Sequence, residues 1–349
     1  MNDGRSSGRG AGYGPTIDGG PVLPRTASKS LKPEEAPQPP NRSSRGRRQF
    51  VAVLHVPMTL AGVLLLGAAG LSHSLFGKRL IPVGTVYDPF VARGHDALNY
   101  ACYQDARFLI AGTPSGITLA PEGGAHQSIG TPLIGLTQPG LTAFEPAFAD
   151  ELAIIMEWAF SYMQDDDGGA VYLRLSTNPL EQPGERSLGD RRQDILDGAY
   201  WLRPPGPNCE VVLAYQGVIA PEVIAAAGYL ADARRDVGVL AVTSADRLHS
   251  EWTDALAHRA KGAMSIASPV ERLLSDLPRH CALVTAIDGH PATLSWLGSV
   301  MGHRTIPLGV AGFGQTGTIG DLYRHYRIDR YAIAKTVESL SPGCHLKII

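Results

Sequence analysis

From Leu80 onward, short apolar runs that end in turn residues alternate with stretches carrying apolar residues every three or four positions. The runs RLIPVGTVY (79–87), RFLIAGT (107–113), GGAVYLRLS (168–176), CEVVLAYQG (209–217), VGVLAVTS (237–244) and CALVTAIDG (281–289) read as buried strands. Between them, FEPAFADELAIIMEWAFSYMQ (144–164), APEVIAAAGYLADAR (220–234), PVERLLSDL (269–277) and PATLSWLGSVMG (291–302) read as helices. Strands that alternate with helices build a mostly parallel sheet covered on both faces. A Pro-, Gly- and charge-rich stretch at 177–195 reads as a linker and divides the pattern. The expected fold class is therefore α/β, with two consecutive open, mostly parallel-sheet domains over 49–195 and 196–349.

Residues 1–48 differ in kind, with nine Lys/Arg against four Asp/Glu and almost no large apolar residue. Such a segment buries too little apolar surface to offset its ordering entropy, so a disordered leader is expected. Residues 49–76, QFVAVLHVPMTLAGVLLLGAAGLSHSLF, follow without an ionised side chain. This run reads as a core helix of the first domain, with 60–76 expected to be helical and packed there. The alternative is an export or membrane segment over 45–76, with Arg45, Arg47 and Arg48 before it and Lys78 and Arg79 after it. A net charge of −2 gives no reason to expect nucleic acid as a partner. Cys102, Cys209, Cys281 and Cys344 form no CxxC, which disfavours a disulfide framework or zinc site and favours a reducing, cytoplasmic setting.

One loop stands out as a candidate site. LAPEGGAHQSIGTP (119–132) packs Glu122 and His126 around a glycine pair and follows a predicted strand. A carboxylate and an imidazole there could serve as an acid/base pair, or simply as solvated side chains of a turn. Tyr87 and Phe90, in TVYDPFVARG (85–94), follow another predicted strand. Ligand crevices of parallel sheets lie at the carboxyl ends of strands, so the two segments could share one pocket; packing between strand and helix is the plainer reading for the two aromatics. GFGQTG (312–317) lacks the spacing of a phosphate loop, His290 reads as a helix-start residue, and Asp165, Asp166 and Asp167 read as a solvated turn. No nucleophile elbow and no metal-spaced His cluster appears, so no metal ligand is assigned.

The stretches LIPVGTVYDPFVARGHDALNYACYQDARFLIAGTPSG, LAPEGGAHQSIGTPLIG and GFGQTGTIGDLYRHYRID carry a resemblance. Over about Gly62 to Asp329 the chain resembles the carboxyl-terminal half of thiamine-diphosphate enzymes of the transketolase type, and most of all the homodimeric pyruvate dehydrogenase decarboxylating subunit. The resemblance implies a pyrimidine-binding domain followed by a transketolase carboxyl-terminal domain. It implies that Tyr87 and Phe90 pack on the cofactor's aminopyrimidine ring, and that Glu122 and His126 line the substrate side. Thiamine diphosphate is the implied cofactor, its magnesium held by a missing domain or a partner chain. The implied reaction is decarboxylation of a 2-oxoacid and acyl transfer to lipoamide, with a lipoyl acyltransferase as partner. Pro114 and Thr177 stand where transketolases place cationic anchors for a sugar phosphate, which favours a small 2-oxoacid such as pyruvate over a phosphosugar.

Two departures qualify these expectations. Thr59, in VPMTLAG, stands where the family places the glutamate that protonates the aminopyrimidine, and the nearby ionisable group is His55. The family's diphosphate domain with its GDG…N motif is not recognised in the sequence. A truncated subunit, inactive alone, is therefore expected, forming a homo-oligomer such as a dimer or docking on a separate diphosphate-domain chain. A non-catalytic remnant and a transketolase acting on phosphosugars are the alternatives.

Overall fold

A computed structural model describes residues 51–54, 60–183, 191–262 and 267–340. The expected leader at 1–48 lies outside the described residues, as do His55 and Thr59.

The first sheet has five parallel strands in the order β1-β2-β3-β5-β4: β1 Val51–Leu54, β2 Ile81–Val86, β3 Leu109–Gly112, β4 Leu141–Phe144 and β5 Ala170–Arg174. The second sheet runs β10-β9-β7-β8-β6: β6 Ala199–Arg203, β7 Val211–Gln216, β8 Val237–Val242, β9 Ala282–Ile287 and β10 Thr305–Leu308. Its strands are parallel except β6, which runs antiparallel to β8. Every residue of β5, β7, β8 and β9 is buried, as expected of parallel strands covered on both faces. The α/β class with two mostly parallel sheets holds.

One apolar core is continuous between the sheets. Leu109, Val171 and Leu173 of the first cluster with Val211, Leu213 and Val239 of the second. At about 25 cal/mol per Å² of apolar surface buried, such a cluster is the main reason the two sheets stay together.

Residues 49–76 are not one core helix, which corrects that expectation, but 60–76 is helical as expected, in the helices Leu60–Gly70 and Ser72–Phe76. Val51–Leu54 is the edge strand β1, and a helix follows only at Leu60–Gly70. That helix is docked. Val63 and Leu66 are buried, and Leu66 fills the space above Gly84 of β2. Among the described residues, no helix is long and apolar enough to cross a membrane.

Candidate functional site

β2 and β3 are paired and parallel, so the segments that follow them emerge at the same end of the sheet. After β2 the chain turns at Tyr87 and Asp88 into the short helix Pro89–Arg93. Pro89 suits the first turn because its missing N–H is unpaired there in any helix. The Phe90 amide donates to Tyr87 O at 2.8 Å, and that turn holds the two rings together, with centroids 5.5 Å apart. After β3 come two short 3-10 turns, Gly116–Glu122 and Gly124–His126. They bring His126 back over Tyr87, with ring centroids 5.9 Å apart. The Tyr87 hydroxyl donates to Glu122 Oε2 at 2.5 Å. Burial first, and then the Glu122 carboxylate, push the Tyr87 phenol well above its ordinary range.

The structure thus brings Tyr87, Phe90, Glu122 and His126 into one cluster. Glu122 is exposed, whereas Tyr87, Phe90 and His126 are half-buried. His126 Nδ1 is buried with no hydrogen-bond partner among the described residues. A buried ring nitrogen left unpaired is costly unless something outside the chain satisfies it.

The glycine pair has a physical reason. Gly123 sits at φ 91°, a conformation that L side chains rarely adopt. A Cβ on Gly124 would lie 1.8 Å from Gly314 O, so the loop and the 312–317 segment meet backbone to backbone. Gln127 completes that contact, donating to Gln315 O at 2.7 Å and accepting from Gln315 N at 3.2 Å. GFGQTG is therefore a brace for the site loop in this structure. Phe313 within it is 90% exposed.

Beneath the cluster lies a buried network that the sequence analysis did not identify. Arg174, Asp88, Glu145 and Asp288 are each under 5% exposed, and all lie at or just beyond the carboxyl ends of strands. Arg174 donates to Glu145, to Asp88 Oδ2 at 3.4 Å and to Asp288 O at 2.9 Å. Tyr172 also donates to Asp88, as does Thr131 at 2.6 Å. Asp288 accepts from Ile117 N at 2.9 Å, so a residue after β9 holds the start of the site loop after β3. Gln216 donates to Glu145 Oε2 at 3.0 Å. Burial alone would depress Arg174, but the Glu145 and Asp88 carboxylates hold it above the ordinary arginine value. Burial pushes Glu145 up to about 7 and Asp288 up to about 6, with Arg174 opposing both. The network is one guanidinium facing three carboxylates. No local pattern announces it, because its members are scattered from residue 88 to residue 288.

His290 Nδ1 accepts from Ala292 N at 3.2 Å, the role of a helix-start residue. Asp165, Asp166 and Asp167 form an exposed turn. Among the described residues, no three His, Cys, Asp or Glu side chains group as metal ligands.

No family model matches the chain. It is 30% identical over 280 residues to a pyruvate dehydrogenase E1 component of Mycolicibacterium smegmatis, spanning 77% of this chain and 30% of that protein. It is 27% identical over 286 residues to the pyruvate dehydrogenase E1 component of Cupriavidus necator, spanning 76% and 30%. The chain thus covers under a third of the length of these relatives. Transketolase from Leishmania mexicana superposes with a TM-score of 0.61 at 18% identity, over 77% of this chain and 36% of that one. A structure described as a split-gene transketolase, an inactive β4 tetramer, superposes with a TM-score of 0.55 at 19% identity, over 80% of each chain.

Proposed function

We propose that this homologue of pyruvate dehydrogenase E1 components, carried on a transketolase fold, supplies the aminopyrimidine-facing part of a thiamine-diphosphate site that acts on a small 2-oxoacid. The observation that carries the reading is the convergence of Tyr87, Phe90, Glu122 and His126 at one sheet end, with the buried His126 Nδ1 unpaired.

The residues suit the cofactor. Tyr87 and Phe90, their rings inclined at 54° to each other, offer aromatic surface against which a heteroaromatic ring can pack. The Tyr87 hydroxyl fixes the Glu122 carboxylate, and His126 Nδ1 can hold or deliver a proton at the substrate. Thiamine diphosphate, when bound, supplies the electron sink for cleaving a bond next to a carbonyl. In this reading the donors for its diphosphate and magnesium come from a partner chain.

Exposed apolar groups support a partner. Leu64, Leu65, Leu75, Phe76, Tyr100 and Tyr103 are each more than half exposed, on the neighbouring helices Leu60–Gly70, Ser72–Phe76 and His95–Tyr103. Patches of this kind mark interaction sites. A second copy or a diphosphate-domain chain would cover them. Acyl transfer to a lipoyl acyltransferase and a cytoplasmic location belong to the same proposal. A non-catalytic role is the second reading, favoured by Thr59 in place of the glutamate implied by the resemblance.

Activity assays test the reading directly. With thiamine diphosphate and magnesium, the purified chain alone should bind cofactor weakly and show no robust turnover of pyruvate or xylulose 5-phosphate. Supplying a chain that carries the GDG…N domain should restore pyruvate decarboxylation. Robust turnover by the isolated chain would refute the half-site. Restored turnover of the phosphosugar alone would refute the 2-oxoacid assignment. Absence of cofactor binding in both settings would favour the non-catalytic reading.

A further inference from the structure

Beside the aromatic cluster lies an open groove of about 460 Å³, lined by Arg93, His95, Ala125, Ser128, Thr131 and Ile134 among others. Its charge character is one-sided: the ionisable side chains that line it are an arginine and a histidine, and no carboxylate does. The acid behind Thr131, Asp88, is already engaged by Tyr172, Thr131 and Arg174.

Arg93 is exposed and held in place by an aromatic ring, its guanidinium carbon 4.5 Å from the centroid of Phe90. Among the described residues the Arg93 side chain makes no hydrogen bond or ion pair, so its N–H fork is available. Ser128 Oγ accepts from Gly116 N at 3.2 Å, which leaves its own proton to donate. A guanidinium, an imidazole and a hydroxyl around one concavity are donors for an oxyanion.

We propose that this groove is a binding site for a carboxylate or phosphate group of an acidic small molecule. Ala125 and Ser128 belong to the loop that carries Glu122 and His126, so the bound group would sit next to the candidate site. The proposal goes beyond the thiamine reading and does not depend on it, because an oxyanion alone suffices to occupy the groove.

The test is an NMR titration of the full chain with inorganic phosphate and with succinate, at constant ionic strength against chloride. Saturable shifts are expected at His95 and Ser128, and at the Arg93 side-chain N–H. Arg93→Gln should weaken binding about tenfold or more, because a charge-assisted donor fork is lost. His95→Gln should weaken it less, and Phe90→Leu should weaken it by freeing the guanidinium. Preference for phosphate or for succinate identifies the source, and equal binding supports the shared chemistry. Shifts that match chloride, never saturate, or survive both Arg93→Gln and His95→Gln would overturn the site. No thiamine compound enters the titration, so its outcome is independent of the catalytic reading.

Discussion

The Tyr87 hydroxyl reaches Glu122 across 35 positions of sequence, joining the turn after β2 to the loop after β3 with a 2.5 Å hydrogen bond. Tyr87→Phe keeps the ring and deletes the bond. Both partners contact solvent, so the expected cost is small, about 1 kcal/mol or less by urea denaturation. Hydrogen exchange in residues 119–128 should quicken. Unchanged exchange there would show that the bond does not order the loop.

Gly124 and Gly314 make a sharper prediction. Gly124→Ala places a methyl against the Gly314 carbonyl, whereas a Cβ at Gly130, in the same loop, meets nothing within 4 Å. Gly124→Ala should cost about 1–3 kcal/mol, as overpacking does, and should loosen the Gln127–Gln315 contact. Gly130→Ala should leave stability within about 0.5 kcal/mol. Equal effects of the two variants would contradict the backbone contact.

Stability should depend on pH through the buried network. Glu145 and Asp288 titrate near 7 and 6 in the folded chain, above the ordinary 4.3 and 3.9 or so of unfolded Glu and Asp. The folded state then binds more protons than the unfolded one between about pH 4 and 7. The contribution of these groups is greatest below pH 4 and is lost as pH rises through 6 and 7, by at most about 1.4 kcal/mol per unit for each group. Glu145→Gln should flatten the pH dependence between 6 and 7, measured as the difference from the parent chain. An identical slope in both proteins would show that Glu145 does not titrate there.

Thiol reactivity gives a further check. Cys102, Cys209 and Cys281 are buried, and burial pushes the Cys102 thiol up to about 11. Of the four cysteines, at most Cys344, outside the described residues, should react quickly with a thiol reagent in the native protein. All four should react in denaturant. Rapid labelling of Cys209 or Cys281 in the native state would contradict the packing of β7 against β9.

The central strands were legible because parallel strands buried on both faces are written as unbroken apolar runs. The edges were not. β1 is four residues at the head of a longer apolar run, so VAVL merged with the helix that follows. β4, LTAF, was absorbed at its end into the helix expected from 144, which begins at Ala149. β10 contains Pro307, which an edge strand tolerates but which removes the sequence signal. β6 is antiparallel and only partly buried, outside the pattern of its neighbours. Similarly, the site loop was visible because Glu122, the glycine pair and His126 are contiguous. Arg174, Glu145 and Asp288 were not, since isolated charges read as surface until the fold gathers them.

Arg174 also limits how this chain can be recombined. Its guanidinium belongs to the first sheet, yet it donates to the carbonyl of Asp288 after β9 of the second. Asp288 returns a contact to the loop after β3, so the obligation is mutual. A chimera that took one sheet from a relative would leave a charge facing the wrong surroundings between the buried sheets, at a cost of about 3–5 kcal/mol. Lengthening the connection between β5 and β6 would break none of these contacts. The two sheets therefore tolerate a longer tether far better than an exchanged companion, and they would be inherited as a matched pair.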